Sequence, residues 1–297
     1  MYDRIVIAVD GSEEARRAAR RGLELARAVD ATVTVLAVLE QKALRLTRRS
    51  TEKRRLRERG EAALADVEAL AETLDQSVTT TLLEGKPAVR ISEYAADEDA
   101  DLVVVGRQGL TGLGRRLLGG VTEQVLHRSD VPVLVVPDDD SGEPTPAEFS
   151  RVLLTTDGSE NADVAIPHGV GLARRFGSTV HVLNVVDLQA AGGMFSAGGL
   201  DAEFLERLEA RGREAVDGVV HQIQDSAPDL PVETAVERTT SFDGAAAGVR
   251  EYVADHDIDL VVLGSHGRSN VGRQLLGSVA SAVLRTVDVP VLVVKRE

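Results

Sequence analysis

Short apolar runs, rich in β-branched residues, alternate along this chain with longer stretches in which apolar residues recur at the spacing of a helix face. The runs at 102–105 and 260–263 are apolar throughout, which is typical of central strands covered on both faces. Alternation of this kind predicts parallel strands joined by crossover helices. In the first half we predict strands at 4–9, 32–38, 78–83, 101–105 and 131–136, and helices at 13–29, near 52–75, at 87–98 and at 121–128.

The two halves of the chain repeat each other. Residues 4–13 match residues 151–160, both segments ending in Asp-Gly-Ser-Glu, and the apolar run at 130–136 returns at 288–294. The stretch between the copies is acidic, contains Pro144 and Pro146 and lacks apolar periodicity, which is typical of a linker. We therefore predict a tandem duplication, with domains at 1–138 and 150–297 and a linker at 139–149.

The amino-acid composition excludes several kinds of functional site. The 297 residues include no cysteine, which excludes disulfides, thiolate metal sites and cysteine nucleophiles and agrees with a reducing compartment. The first residues lead directly into a strand without a cationic and apolar leader, and no run approaches the roughly 18 apolar residues of a membrane span. We expect a cytoplasmic protein without membrane contact.

The chain is strongly acidic. Its formal net charge of -14 opposes binding to nucleic acid or anionic lipid over most of the surface, so we expect no nucleic-acid partner. Only four of the 34 basic residues are lysines, a composition that resembles proteins from salt-loving microbes, and a halophilic source is our hypothesis. The basic stretch at 45–59 leaves two interpretations open, a local anion or nucleic-acid contact and a solvated helix face.

The most informative motif is a pair of glycine-rich loops that follow the fourth strand of each copy. In the second copy Gly264 and Gly267 are followed, after nine residues, by Gly277 and Ser278. The first copy repeats the spacing with Gly106, Gly109 and Gly119, but Gly120 replaces the serine. Glycines let the backbone approach ribose and phosphates, and the amides at the start of the next helix are suited to phosphate binding.

Other side chains add to this interpretation. Ser278 is suited to cap the helix or to donate its hydroxyl to a phosphate, and Arg268 and Arg273 offer cations for the outer phosphates. Asp157 ends the first strand, and Val185 is expected to end the second. A structural alternative stays open, in which the glycines only form turns and the strand-end aspartates and Ser278 are ordinary helix caps.

These motifs resemble the universal stress protein family, whose ATP-binding members carry G-x2-G-x9-G-(S/T). The resemblance covers nearly the whole chain, twice, and includes the strand-end aspartates Asp10 and Asp157 and the closing strands that begin with Val-Pro-Val. It implies an α/β fold of two tandem doubly wound parallel-sheet domains, with flavodoxin-like strand order and of adenine-nucleotide-binding type. It also implies a nucleotide-dependent regulator in the stress response that binds ATP, or ADP or AMP, with Mg²⁺ accompanying the nucleotide.

The resemblance also assigns roles to individual residues. It places Asp157 and Val185 at adenine and ribose, Gly264 and Gly267 at ribose and phosphates, and the following loop end at the phosphates. The full candidate set in the second domain is Thr156, Asp157, Val185, Gly264, Gly267, Arg268, Gly277, Ser278 and Val279. The counterparts in the first domain are Val9, Asp10, Val38, Gly106, Gly109, Gly119, Gly120, Val121 and Thr122.

The first domain departs from the family pattern at Gly120. The change removes one hydroxyl but keeps a backbone amide, so we expect weaker rather than abolished binding, by about 0.5–1.5 kcal/mol for one neutral hydrogen bond. The hydroxyl of Thr122 is close enough in sequence to act as a substitute, which is a hypothesis for the structure to examine.

Other chemistries find less support. The sequence contains no G-x-x-x-x-G-K-[ST], no dinucleotide fingerprint, no H-E-x-x-H and no G-x-S-x-G. His266 either contacts the ligand or stabilises the loop. We therefore expect a binding protein, while slow ATP hydrolysis or phosphoryl transfer and a scaffold with vestigial sites remain alternatives. We expect protein partners of unknown identity. We also expect the two domains to pair through their last strands, and association of two chains is an open alternative.

Overall fold

The computed structural model describes residues 1–40, 50–110, 117–138, 149–192, 202–267 and 276–296. The chain divides into two compact units, Met1–Ala147 and Glu148–Glu297. Residues 139–148 of the predicted linker lie outside the described residues.

The first domain is a parallel sheet with crossover helices between its strands. The helices and strands, in chain order, are β1 (Arg4–Val9), α1 (Glu13–Val29), β2 (Thr32–Glu40), α2 (Ser50–Thr73), β3 (Thr79–Gly85), α3 (Pro87–Asp97), β4 (Leu102–Gly106), α4 (Gly120–Arg128) and β5 (Val133–Val136). The spatial order of the strands is β3-β2-β1-β4-β5, and the four strand pairs are parallel. All five residues of β4 are buried, as its apolar run predicts.

The second domain repeats this arrangement. Its helices and strands are β6 (Arg151–Thr155), α5 (Glu160–Asp163), α6 (Ile166–Phe176), β7 (Thr179–Asp187), α7 (Leu188–Gly192), α8 (Ala202–Ser226), β8 (Val232–Thr239), α9 (Ala245–Asp255), β9 (Leu260–Gly264), α10 (Ser278–Thr286) and β10 (Val291–Val294). Its strand order is β8-β7-β6-β9-β10, again parallel. Two tandem doubly wound α/β domains are thereby confirmed.

The predicted flavodoxin-like strand order is wrong. That order, 2-1-3-4-5, would place the third strand beside the first. Here the chain runs outward from β1 through β2 to β3 and then crosses back, so that β4 pairs with β1. The same crossing pairs β9 with β6. The consequence is functional, because the residues that follow the first and fourth strands now meet at one edge of each sheet.

Local sequence explains where the helices begin and end. Ser12 caps α1 by accepting from the amide of Ala15 at 3.1 Å, and the left-handed Asp30 ends the helix. In the second domain Ser159 takes the same capping role, but Pro167 lies at the start of α6 and the equivalent helix is divided into two. In the described ranges, no helix combines the length and the apolar content that a bilayer span requires.

Candidate functional site

Asp157 stands at the carboxyl end of β6, where its two oxygens have different surroundings. Oδ1 accepts from the amide of Ser159 at 3.0 Å and from its hydroxyl at 2.6 Å. Oδ2 faces Gly267, where any Cβ would overlap it. The helix cap is Ser159 rather than Asp157, so the alternative that made this aspartate an ordinary cap is wrong. The carboxylate instead joins the first strand to the glycine loop.

The glycine loop is packed against the loop that follows β6. A Cβ on Gly264 would overlap the carbonyl oxygen of Asn161, and the Asn161 side-chain amide donates to the carbonyl of Gly267 at 3.1 Å. The amide of Gly277 donates to the carbonyl of Ser265 at 2.8 Å, which closes the loop before α10. Asn161 was missed by the sequence reasoning, because its counterpart in the first copy is Glu14 and no repeated motif marks it.

The end of the loop delivers a helix N-terminus to the site. Gly277 is the N-cap of α10 and Ser278 is its first helical residue, so of the two roles considered for Ser278 that of the cap is wrong. Both residues line a cavity of about 330 Å³ together with Thr156, Asp157 and Gly267. Unpaired amides and a partial positive charge at such a helix start favour an anion.

Val185 lies two residues before the end of β7, not at the end as predicted. β6 stops at Thr155, opposite Leu183, while Val185 remains paired with Glu237 of β8. Strand β7 therefore extends beyond its neighbour and forms one wall of the cavity, which Val185 lines. Its side chain packs on Gly248 of α9, where a Cβ would come within 2.6 Å of it.

The remaining residues considered for this site are His266, Val279, Arg268 and Arg273. Nδ1 of His266 is 2.9 Å from the hydroxyl of Ser265, a contact within the loop, and the ring also lines the cavity. Val279 is half exposed on the cavity wall. Arg268 and Arg273 lie outside the described residues.

Electrostatics near the cavity are acidic on the side of β6. Burial raises the pKa of Asp163, a hydrogen bond from Gln222 lowers it, and the nearby charge of Asp157 raises it. Among the residues that the structure describes, no group of three or more histidines and acids is arranged to hold a metal ion.

The first domain reproduces the aspartate geometry. Oδ1 of Asp10 accepts from the amide of Ser12 at 2.9 Å and from its hydroxyl at 2.6 Å, and Oδ2 faces Gly109. Oδ2 also accepts from the amide of Leu110 at 3.0 Å. The cap of α1 is again the serine, not the aspartate. A cavity of about 320 Å³ lies here, and its lining includes Gly60 and all nine first-domain candidates: Val9, Asp10, Val38, Gly106, Gly109, Gly119, Gly120, Val121 and Thr122.

The start of α4 differs from its counterpart in chemistry. Gly119 is the N-cap and Gly120 the first helical residue, with no heavy atom of the described structure within 4 Å of a Cβ built there. The hydroxyl of Thr122 is buried and donates to the carbonyl of Gly106 at 2.7 Å. This bond uses its only proton, which contradicts the hypothesis that Thr122 supplies the missing donor for a phosphate.

The basic stretch at 45–59 is described only from residue 50 onward. There it forms part of α2, where Arg54 pairs with Glu58 at 3.2 Å and Arg57 with Glu61 at 3.5 Å, each one turn apart. These exposed pairs favour the solvated helix face over an anion site for those two arginines.

Comparison with known proteins gives the family. The model of the universal stress protein family matches residues 1–137 and 148–295. A universal stress protein of Mycolicibacterium smegmatis is 32% identical over 307 aligned residues, which cover 98% of this chain and 96% of that protein. One of Methanocaldococcus jannaschii is 38% identical over 140 residues, covering 46% of this chain and 82% of its own length.

A solved structure agrees at the level of the fold. The crystal structure of a universal stress protein from Archaeoglobus fulgidus matches with a TM-score of 0.73 at 23% identity, covering 99% of this chain and 96% of that one. Both copies of the repeat therefore have the same assignment, and the chain belongs to the universal stress protein family.

Proposed function

We propose that the second domain binds an adenine nucleotide, with ATP as the first candidate, and that the chain acts as a nucleotide-dependent regulator in the stress response. Mg²⁺ would arrive with the nucleotide phosphates. The observation that carries the proposal is the convergence of Asp157, Gly267 and the start of α10 at Ser278 on one cavity. The carboxylate is suited to accept from ribose or base, and the helix start is suited to bind phosphates.

The residues present fit such a ligand. Gly267 allows the loop backbone to lie close to the Asp157 carboxylate, because a side chain at this position would displace the carboxylate. Ser278 offers a hydroxyl at the helix start, and the half-buried Val185 supplies an apolar wall for a base. From what the sequence resembles, Asp157 and Val185 would lie at adenine and ribose, and Gly277, Ser278 and Val279 at the phosphates.

A second function, that of a scaffold with a weakened or vestigial site, applies to the first domain. The observation that favours it is Gly120, which leaves the start of α4 without the hydroxyl that Ser278 gives to α10. The retained geometry of Asp10 and Gly109 argues that the nucleoside end of that site is intact. We expect the two domains to differ in affinity rather than in kind of ligand.

The test begins with the nucleotide content of the freshly purified chain, released by denaturation and identified by chromatography. Titration with ATP and Mg²⁺ then compares the natural chain with Ser278→Ala, and with Ser281→Ala as a control on the same helix. We expect binding of one ATP per chain, about twofold to tenfold weaker in Ser278→Ala for one neutral hydrogen bond and unchanged in Ser281→Ala. Absence of both retained and added nucleotide would contradict the proposal, and phosphate release that Ser278→Ala abolishes would support an enzyme instead.

A further inference from the structure

The helices that connect the second and third strands of the two domains share a short pattern, Leu-x-x-Arg-Gly. It is formed by Leu56, Arg59 and Gly60 in α2 and by Leu208, Arg211 and Gly212 in α8. Glycine within a helix lowers helix stability relative to alanine, so its presence at the same place in both copies requires a structural reason.

The reason is the close approach of each helix to its sheet. A Cβ on Gly60 would lie 2.8 Å from Cδ1 of Leu82 and 2.9 Å from Cδ2 of Leu39. A Cβ on Gly212 would lie 2.5 Å from Oδ1 of Asn184 and 2.9 Å from Cγ1 of Val236. The glycine thus brings the arginine that precedes it close to the end of the second strand.

In both domains this arginine lines a pocket that also contains the strand-end aspartate. Arg211 lines a polar pocket of about 170 Å³ that shares Asp157 and Val185 with the larger cavity. Within the described chain, this pocket is not lined by the candidate residues of the glycine loop, which are Gly264, Gly267, Gly277 and Ser278. In the first domain the two spaces are continuous, and Arg59 lines the same cavity as Asp10 and Gly109.

The charges around each arginine indicate what it can bind. Asp187 accompanies Arg211 and Asp157, while Glu40, the equivalent strand-end acid, accompanies Arg59 and Asp10. Two carboxylates and one guanidinium disfavour a phosphate. Together they offer donors and acceptors for a neutral polar group, such as the hydroxyls of a ribose or the edge of a base.

Both arginines are exposed and differ from their neighbours in their contacts. Arg57 pairs with Glu61, and Arg213 lies 3.6 Å from Glu209. For Arg59 and Arg211, no ion pair or hydrogen bond is formed within the described part of the chain. Their guanidinium groups are therefore able to meet a ligand without breaking a contact to the described residues.

We infer that Arg59 and Arg211 recognise the nucleoside half of the ligand. The guanidinium donates to acceptor atoms of base or ribose, and the accompanying carboxylates accept from amino and hydroxyl groups. This inference rests on the proposed nucleotide site and adds a specificity-determining residue to it. It also separates the site into two halves, in which the glycine loop binds phosphates and the arginine pocket selects the nucleoside.

Two half-ligands test this division in the full chain: adenosine for the nucleoside half and tripolyphosphate for the phosphate half. Calorimetric titrations compare Arg211→Met, which keeps most of the apolar stem, with Arg213→Met as the control two residues away. We expect Arg211→Met to weaken adenosine and ATP by about tenfold, the loss for a hydrogen bond from a charged group, and to leave tripolyphosphate unchanged. Ser278→Ala should show the opposite selectivity and weaken tripolyphosphate.

The outcomes separate this inference from the proposed function. If the natural chain binds ATP and Arg211→Met binds ATP and adenosine equally well, the inference is wrong and the nucleotide site stands. Loss of tripolyphosphate binding in Arg211→Met would place the guanidinium at the phosphates and also overturn it. If the natural chain binds neither ATP nor either half-ligand, the proposed function fails and the inference fails with it. An unchanged melting temperature of Arg211→Met shows that a loss of affinity is not a loss of folding.

Discussion

One carboxylate oxygen of Asp157 occupies the space beside Gly267 in which a side chain would begin. The same relationship joins Asp10 to Gly109 in the first domain. Each pair links the residue after the first strand to the loop after the fourth, and it exists because those strands are neighbours. The glycine is thus required by the position of the carboxylate as well as by the path of the backbone.

We predict that Gly267→Ala weakens nucleotide binding. The added methyl group would force the Asp157 carboxylate away from Ser159, and overpacking of this kind costs about 1–3 kcal/mol, equivalent to roughly fivefold or more in affinity. Titration with ATP measures the effect. The matched control is Gly218→Ala, because Gly218 lies in α8 with no described heavy atom within 4 Å of a Cβ built there. Equal affinities of the two variants would contradict the prediction.

We predict that Gly120→Ser strengthens nucleotide binding by the first domain. The new side chain has open space at the start of α4 and would restore the hydroxyl found at Ser278. One neutral hydrogen bond gives about 0.5–1.5 kcal/mol, or roughly twofold to tenfold in affinity. The measurement is an ATP titration in the Gly267→Ala background, where binding by the second domain is weakened. No gain would show that the serine hydroxyl does not contribute at this position.

Sequence patterns predicted the repeat, the alternation of strands and helices, and the spacing of the glycine loops. They failed on strand order, because crossover connections between parallel strands permit several orders. The contact between Asp157 and Gly267 requires the first and fourth strands to be neighbours. The sequence therefore predicted this contact only on the condition that those strands pair. The close approach of α8 to the sheet at Gly212 was marked by its repetition at Gly60, and alignment of the two copies would have found it.

We predict that Thr122→Val destabilises the first domain without changing its ligand affinity. The buried hydroxyl donates to the carbonyl of Gly106, and valine of the same shape would leave that carbonyl without this bond. The expected loss is about 1–3 kcal/mol in the free energy of unfolding, measured by chemical denaturation. Thr122→Ser keeps the hydroxyl and should recover most of the stability. A lower ATP affinity of Thr122→Val at unchanged stability would contradict the prediction and would indicate that the hydroxyl binds the ligand.

We predict that added salt stabilises this chain. The net charge of -14 produces self-repulsion in the compact state, and raising salt from about 0.1 M to about 1 M shortens the screening length from ~10 Å to ~3 Å. The melting temperature should therefore rise with potassium chloride and should rise little with an uncharged cosolute at equal osmolality. A melting temperature independent of salt would remove the physical basis of the halophile hypothesis.

We predict that protonation of His181 destabilises the second domain in mild acid. Its ring is buried on β7, with Nδ1 3.0 Å from the hydroxyl of Tyr252 and 3.7 Å from a carboxylate oxygen of Glu233. Burial lowers the pKa of His181, an effect that Glu233 opposes and His256 reinforces. Because the unfolded chain binds the proton first, at a pKa of about 6.5, this contribution to stability is present above that pH and is lost as the pH falls below it.

The comparison of His181→Gln with the natural chain isolates this contribution. Glutamine retains a polar group for Tyr252 but does not titrate, so the free energy of unfolding of the variant should fall less steeply between about pH 7 and pH 5. Burial also lowers the pKa of His168 and raises that of Asp163, and both effects are common to the two proteins and cancel in the difference. His221→Gln, on the exposed face of α8, is the control. Parallel pH profiles of the natural chain and His181→Gln would show that His181 binds protons equally in the folded and unfolded states, and would contradict the prediction.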